Sequence, residues 1–192
     1  MIVLASRSPR RLQLAAAEGW QVTVSAPPEE VEERAPPRTA AESLADYVRR
    51  LAFAKAQAVA ETCGEGTILA CDTLAEVNGR LLGKPADRVA AREMLLLLSG
   101  RSHRVVSGVC LWERPGGEPQ FGDAESILEM DPLSEEFLEW YLDSGMWQGK
   151  AGACGFQDER LPLRLVSGTP SNVVGLPLEL VRDMLARLQR AP

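Results

Sequence analysis

Short apolar runs and capped helical stripes take turns along this chain, and two hairpin signals, Asn78-Gly79 and Pro115-Gly116-Gly117, interrupt the alternation. A short apolar run is a strand buried on both faces, whereas a capped stripe with apolar residues three and four apart is a helix covering one of them. Strand and helix in alternation build parallel pairs; hairpins build antiparallel ones. A chain that carries both signals folds as α/β, with a mixed sheet and helices packed against it.

The spacing places strands over residues 2–5, 20–25 and 67–71, a hairpin from Asn78-Gly79 into 80–82, long strands over 103–112 and 121–130, and a last strand over 163–166. Helices are expected over 10–18 behind Pro9, to about residue 62 behind a Thr39/Glu42 capping box, from Asp87 to 99 with Gly100 as the stop, from Ser134 to near 145, and from Pro177 onward. Residues 26–38, with prolines at 27, 28, 36 and 37, read as a stiff polar loop, and 149–155 as a glycine-rich turn segment. No repeat, low-complexity tract or linker divides residues 1–192, which suit one domain or two small lobes sharing a cleft.

Composition excludes several kinds of chemistry. With 27 acidic against 21 basic residues the net charge is -6, which argues against a broad grip on nucleic acid. The opening MIVLASRSPRR is apolar before it is basic, the reverse of a secretory signal, and no apolar run approaches the roughly 20 residues of a membrane span. A cytoplasmic protein without membrane contact is expected. Cys63, Cys71, Cys110 and Cys154 form no C-x-x-C pair, and His103 is the lone histidine, so zinc and dithiol sites lack their spacing. A metal here takes carboxylate oxygens, which suits magnesium or manganese. Arginine fills 18 of the 21 basic positions, which singles out Lys55, Lys84 and Lys150.

Ser6-Arg7-Ser8-Pro9-Arg10-Arg11 lies where a strand yields to a helix N-terminus, so hydroxyls, free N–H groups and guanidinium groups can meet one anion there. No Walker sequence is present. The strand over 67–71 delivers Asp72 and Thr73 at its end, and Lys84 follows across the hairpin, as a catalytic pair or a plain ion pair. Lys55 sits on the apolar face of a helix, where a lysine needs an edge or an anion. Glycines around Lys150 and Gln157 allow close backbone approach, with the Gln157 amide able to read a base edge. His103 is read as structural, and Glu29, Glu30, Glu32 and Glu33 as a solvated run with one carboxylate in reach of a metal.

Taken in order, Leu4-Ala5-Ser6-x-Ser8-Pro9-Arg10-Arg11, Leu51-Ala52-x-x-Lys55-Ala56, Asp72-Thr73, Leu82-Gly83-Lys84-Pro85, Leu98-Ser99-Gly100, Lys150-Ala151-Gly152, Gly155-x-Gln157 and Ser171-Asn172-Val173-Val174-Gly175-Leu176-Pro177 resemble the Maf family of nucleotide pyrophosphatases. The resemblance implies a fold like that of inosine triphosphate pyrophosphatases, a mixed twisted sheet flanked by helices with two lobes around a central cleft. It implies hydrolysis of a nucleoside triphosphate to the monophosphate and pyrophosphate with a divalent cation, Mg2+ or Mn2+. Arg10, Thr73 and Gln157 match the dTTP/UTP branch rather than the 7-methyl-GTP branch. On this reading Asp72, Lys84, Lys55 and Arg11 are catalytic, and Ser6, Ser8, Arg10, Arg11, Thr73, Lys150 and Gln157 bind substrate. Asp72 and Glu30 hold the metal. Cys154 and Asp158 depart from the family's usual Tyr and Gly, and 158–168 is one residue short. The expected partner is a small nucleotide, with room for a homodimer. The alternatives are a non-catalytic nucleotide-binding regulator of cell division and a purine-selective pyrophosphatase.

Overall fold

In the computed structural model, which describes residues 1–188 and 190 and not the side chains of Glu32 and Glu33, β1 (Ile2–Ala5) lies between β2 (Val22–Val24) and β3 (Gly66–Val77), parallel to both. Ile2 pairs with Val22 on one side and Thr67 on the other. The hairpin strand β4 (Arg80–Leu82) returns antiparallel to the end of β3, with Ala75 opposite Leu82. With β5 (Arg101–Arg114), β6 (Gln120–Met130) and β7 (Leu163–Ser167), the sheet has the order β2-β1-β3-β5-β6-β7, and β6 and β7 pair antiparallel across a bulge at Ile127/Leu128. The mixed sheet expected from hairpins among alternating elements is present.

The helices are α1 (Pro9–Ala17), α2 (Glu30–Glu33), α3 (Leu44–Ala60), α4 (Arg88–Leu98), α5 (Glu135–Asp143), α6 (Pro170–Val174) and α7 (Leu178–Leu188), with a 3-10 turn at Ala151–Ala153. Three depart from the sequence reading. The cap of α3 is Ser43, whose Oγ accepts from Asp46 N at 3.0 Å; Glu42 bonds Arg50 instead, so the Thr39/Glu42 box lies one turn early. The stiff loop contains α2, packed against α3. A further short helix, α6, begun by Pro170, lies just before Pro177, where the spacing places none.

The chain forms two compact units: Met1–Thr73, Val106–Ala124 and Gly175–Pro192 make the first, and Leu74–Val105 with Glu125–Val174 the second. In the first, the sheet is buried on both faces. Val3, Ala5, Ile68, Ala70 and Cys110 pack under Ala52, Ala56 and Val59 of α3, while Leu4, Leu69, Val109 and Leu111 pack under Ala15 of α1 and Val181 and Met184 of α7. That is why β1 reads as an unbroken apolar run. Contact with α3 is closest at Gly108, where an added Cβ would lie 2.3 Å from the Val48 carbonyl carbon. In the second unit, Ala91, Leu95 and Leu98 of α4 and Leu138, Tyr141 and Leu142 of α5 share a core with Val77, Leu82, Leu128 and Trp147. Arg88 ties the two helices from outside through Glu139 and Asp143.

β3 does not end at Cys71. It continues through Asp72 and Thr73 because the residues from Leu74 onward resume the strand pattern and pair with β4. The polar pair is therefore held inside a strand rather than at its tip.

Candidate active site

β1 delivers the first cluster. Ser6 and Ser8 form the turn into α1: Ser8 N donates to Ser6 Oγ (3.1 Å), Ser8 Oγ accepts from Arg11 N (3.4 Å), and Pro9 takes the first helical position, where no N–H is needed. Arg11 lies back along this turn. Its Nε donates to Gly175 O at 2.7 Å, and its two Nη atoms donate to Ser6 Oγ and Thr73 Oγ1, both at 3.4 Å. Thr73 Oγ1 in turn lies 2.7 Å from Ser107 Oγ. Each of these acceptors is a neutral oxygen, so the guanidinium is oriented without being neutralised. A fixed cation beside two hydroxyls and a helix N-terminus is suited to an anion. Arg10, half-buried on α1, adds a second positive charge nearby in sequence.

Asp72 precedes Thr73, so its side chain leaves the opposite face of β3, toward α3. There its Oδ1 accepts from Lys55 Nζ. The pair is deeply buried, with Asp72 6% and Lys55 4% exposed. Leu51, Ala52 and Ala56 surround the Lys55 position on α3, which explains how a lysine occupies an apolar face: its anion is built into the sheet. Lys55 fixes one carboxylate oxygen and leaves the other as an acceptor for a proton or cation.

The second unit carries Lys84, Lys150 and Gln157. Gly152 N donates to Gly83 O at 2.9 Å, so the glycine-rich segment is fastened beside the exposed Lys84. Gly152 has φ +68°, a conformation that suits glycine, and an added Cβ would lie 3.3 Å from Leu82 Cδ1. Lys150 Nζ reaches both oxygens of Asp158, at 2.5 and 2.6 Å, and Gln157 stands exposed in the turn between them.

Burial pushes the Cys154 thiol up to about 12, with the Asp158 charge adding to the shift, and pushes Cys110 up to about 12. Cys71 is raised by burial as well. These three are thiols at neutral pH and not nucleophiles. Burial pulls His103 down to about 4, so its imidazole is neutral, and its Nδ1 has no partner among the described residues.

The structure thus gathers Ser6, Ser8, Arg11 and Thr73, joins Asp72 to Lys55, and joins Lys150 to the turn of Gln157. It does not gather a preformed metal cage: among the described residues no group of three or more His, Cys, Asp or Glu converges, and Glu30 is exposed on α2. A single buried carboxylate suits a magnesium-type ion, which takes one or two protein carboxylates and completes its shell with water and phosphate. Sequence reasoning missed Ser107, the Gly175 carbonyl and Tyr141. Ser107 had one signal, a lone hydroxyl within Val105-Val106-Ser107-Gly108-Val109.

A family model described as "Maf-like protein" matches residues 1–188. Over 190 residues the chain is 40% identical to a dTTP/UTP pyrophosphatase from Rhodopirellula baltica, covering 98% of this chain and 82% of that one. Over 187 residues it is 42% identical to a dTTP/UTP pyrophosphatase from Symbiobacterium thermophilum, covering 97% and 93%. Among solved structures, a HAM1 protein from Coxiella burnetii matches at a TM-score of 0.50 and 18% identity over 97% of this chain and 98% of that one, a likeness of fold.

Proposed function

The chain belongs to the Maf family, and on that premise we propose that it hydrolyses dTTP and UTP to the nucleoside monophosphate and pyrophosphate. The observation that carries the reading is the buried Asp72–Lys55 pair, because a carboxylate kept inside a fold at such cost, with one oxygen fixed, is placed for proton transfer. Asp72 accepts the proton of the attacking water. Lys55 holds the carboxylate in place, and Lys84 is assigned to the negative charge that grows on the leaving pyrophosphate.

Arg11, with Arg10 beside it, takes phosphate oxygens, and the Ser6 and Ser8 hydroxyls complete the anion site. Gln157 is assigned to the pyrimidine base, its amide reading the hydrogen-bonding edge, and Thr73 to substrate binding beside Arg11. A divalent magnesium or manganese ion would be held by Asp72, with Glu30 as an outer carboxylate, and would supply charge neutralisation on the phosphates. The role is house-cleaning of the nucleotide pool in the cytoplasm. No helix among the described residues is long and apolar enough to cross a membrane.

The test is a panel of pyrimidine and purine triphosphates at fixed magnesium, with products identified. UTP and dTTP are expected to yield monophosphate and pyrophosphate. Orthophosphate with diphosphate, or preference for purines, refutes the assignment.

A further inference from the structure

We propose that Asp158 is a positioning residue for base selection: it locks the turn that carries Gln157 and commits Lys150 to that turn rather than to the triphosphate. The proposal rests on the pyrimidine reading of Gln157.

Four bonds meet at the Asp158 carboxylate. Lys150 Nζ donates to both oxygens, Tyr141 Oη donates to Oδ2 at 2.6 Å, and Gly155 N donates to Oδ2 at 3.0 Å. The last of these is answered by Asp158 N, which donates to Gly155 O at 3.0 Å, so the turn Gly155-Phe156-Gln157-Asp158 is closed in both directions. A second turn begins at the same residue, with Leu161 N donating to Asp158 O at 2.8 Å. Gln157, the exposed member of the first turn, therefore has its backbone held on both sides by one neighbouring residue.

The lock is anchored outside the turn as well. Tyr141 is 1% exposed on α5 and stacked on Phe137, so its hydroxyl is a fixed point. The Lys150 stem crosses Gly155 closely: a Cβ added there would lie 3.1 Å from Lys150 Cδ and 3.2 Å from its Nζ. The bare glycine leaves the path by which the ammonium reaches Asp158. Side chains of both partners are largely buried, at 17% and 11% exposure, so the bond is sheltered from solvent. An ammonium already held by both oxygens of one carboxylate has little left for a phosphate.

The experiment compares wild type with Asp158→Asn, which keeps the shape and an acceptor but removes the charge, and with Tyr141→Phe. Binding of non-hydrolysable α,β-imido UTP and its adenosine counterpart is measured by calorimetry, beside UTP kinetics, thermal melting and tryptic cleavage after Lys150 and Arg160. Asp158→Asn is expected to weaken uridine-analogue binding and raise KM about tenfold, with kcat within about threefold of wild type and adenosine-analogue binding unmoved. Tyr141→Phe is expected to move KM in the same direction by less. Cleavage after Lys150 or Arg160 should accelerate in both. If Asp158→Asn binds the uridine analogue as wild type does, or more tightly because Lys150 is released to the triphosphate, the proposal is overturned. A fall in kcat at constant KM overturns it too. If wild type itself neither binds nor hydrolyses uridine nucleotides, the proposed function fails instead, and unchanged tryptic cleavage would then separately overturn the lock.

Discussion

Replacing Lys55 by Met should unfold this protein far more readily than the loss of one surface charge would. Met keeps most of the Lys55 stem and removes the ammonium, which leaves Asp72, 6% exposed, without its counterion. Breaking a buried pair from one side costs about 3–5 kcal/mol, because the surviving charge stays desolvated. At about 2–4 °C per kcal/mol for a chain of this size, the melting temperature should fall by roughly 6–20 °C. Lys55→Met with Asp72→Leu removes both charges and fills similar volume, so it should regain most of that loss. Neither variant should hydrolyse UTP. Thermal melting and urea titration at pH 7, with the urea slope checked for constancy, measure the effect. A single variant as stable as wild type, or a double variant as unstable as the single, would refute the buried-pair reasoning.

Other expectations are equally direct. Asp72→Asn removes the other charge of the same buried pair, so it should also melt lower than wild type, and the folded variant should lose at least about a hundredfold in kcat for UTP, the scale of a lost general base; a folded variant with most of its activity would move that role elsewhere. His103 is pulled from 6.5 to about 4 by burial, so between those values the unfolded chain binds a proton that the folded chain refuses. Stability from this site is whole above about pH 6.5 and declines by roughly 3 kcal/mol towards pH 4; His103→Gln should flatten that part of a plot of urea midpoint against pH. Gly108→Ala should destabilise by about 1–3 kcal/mol or more by driving a methyl into the Val48 backbone, and a neutral result in urea would mean that α3 shifts freely.

Local chemistry was legible in the sequence where one residue type admits one conformation. Ser8 with Pro9, Asp87, Ser134 and Gly100 mark helix ends that the structure reproduces, and Asn78-Gly79 marks its hairpin. The cap of α3 was misplaced because Thr39/Glu42 and Ser43/Asp46 offer the same side-chain pattern four residues apart, and the choice falls to Arg50, which draws Glu42 away. The ordered segments around Arg11, Lys55 and Asp72 were visible as residue types, but their bonding was not. That Lys55 faces Asp72 while Arg11 faces Thr73 depends on which face of β3 each residue leaves, and so on where the strand ends. From spacing alone the strand ends at Cys71. Asp158 was visible as an unusual residue after Gln157, whereas its donors come from Tyr141 on α5 and from Lys150, contacts no local pattern encodes.

β3, β5 and β6 each change unit along their length and the chain changes unit once more after α6, so the polypeptide passes between the two units four times: after Thr73, Val105, Ala124 and Val174. Neither unit is one uninterrupted stretch of polypeptide, so no single truncation can isolate either one. Deletion mapping would therefore damage both at once, and assigning activity to one part of the molecule has to rely on point substitutions. The Arg11 hydrogen-bond group sits at these passages: Thr73 is the last residue before one, Gly175 the first after another, and Ser107 the second residue after a third. Losing Arg11 would therefore remove a staple between sequence-distant borders of the first unit as well as a charge, and defects from such variants have to be divided between those two causes.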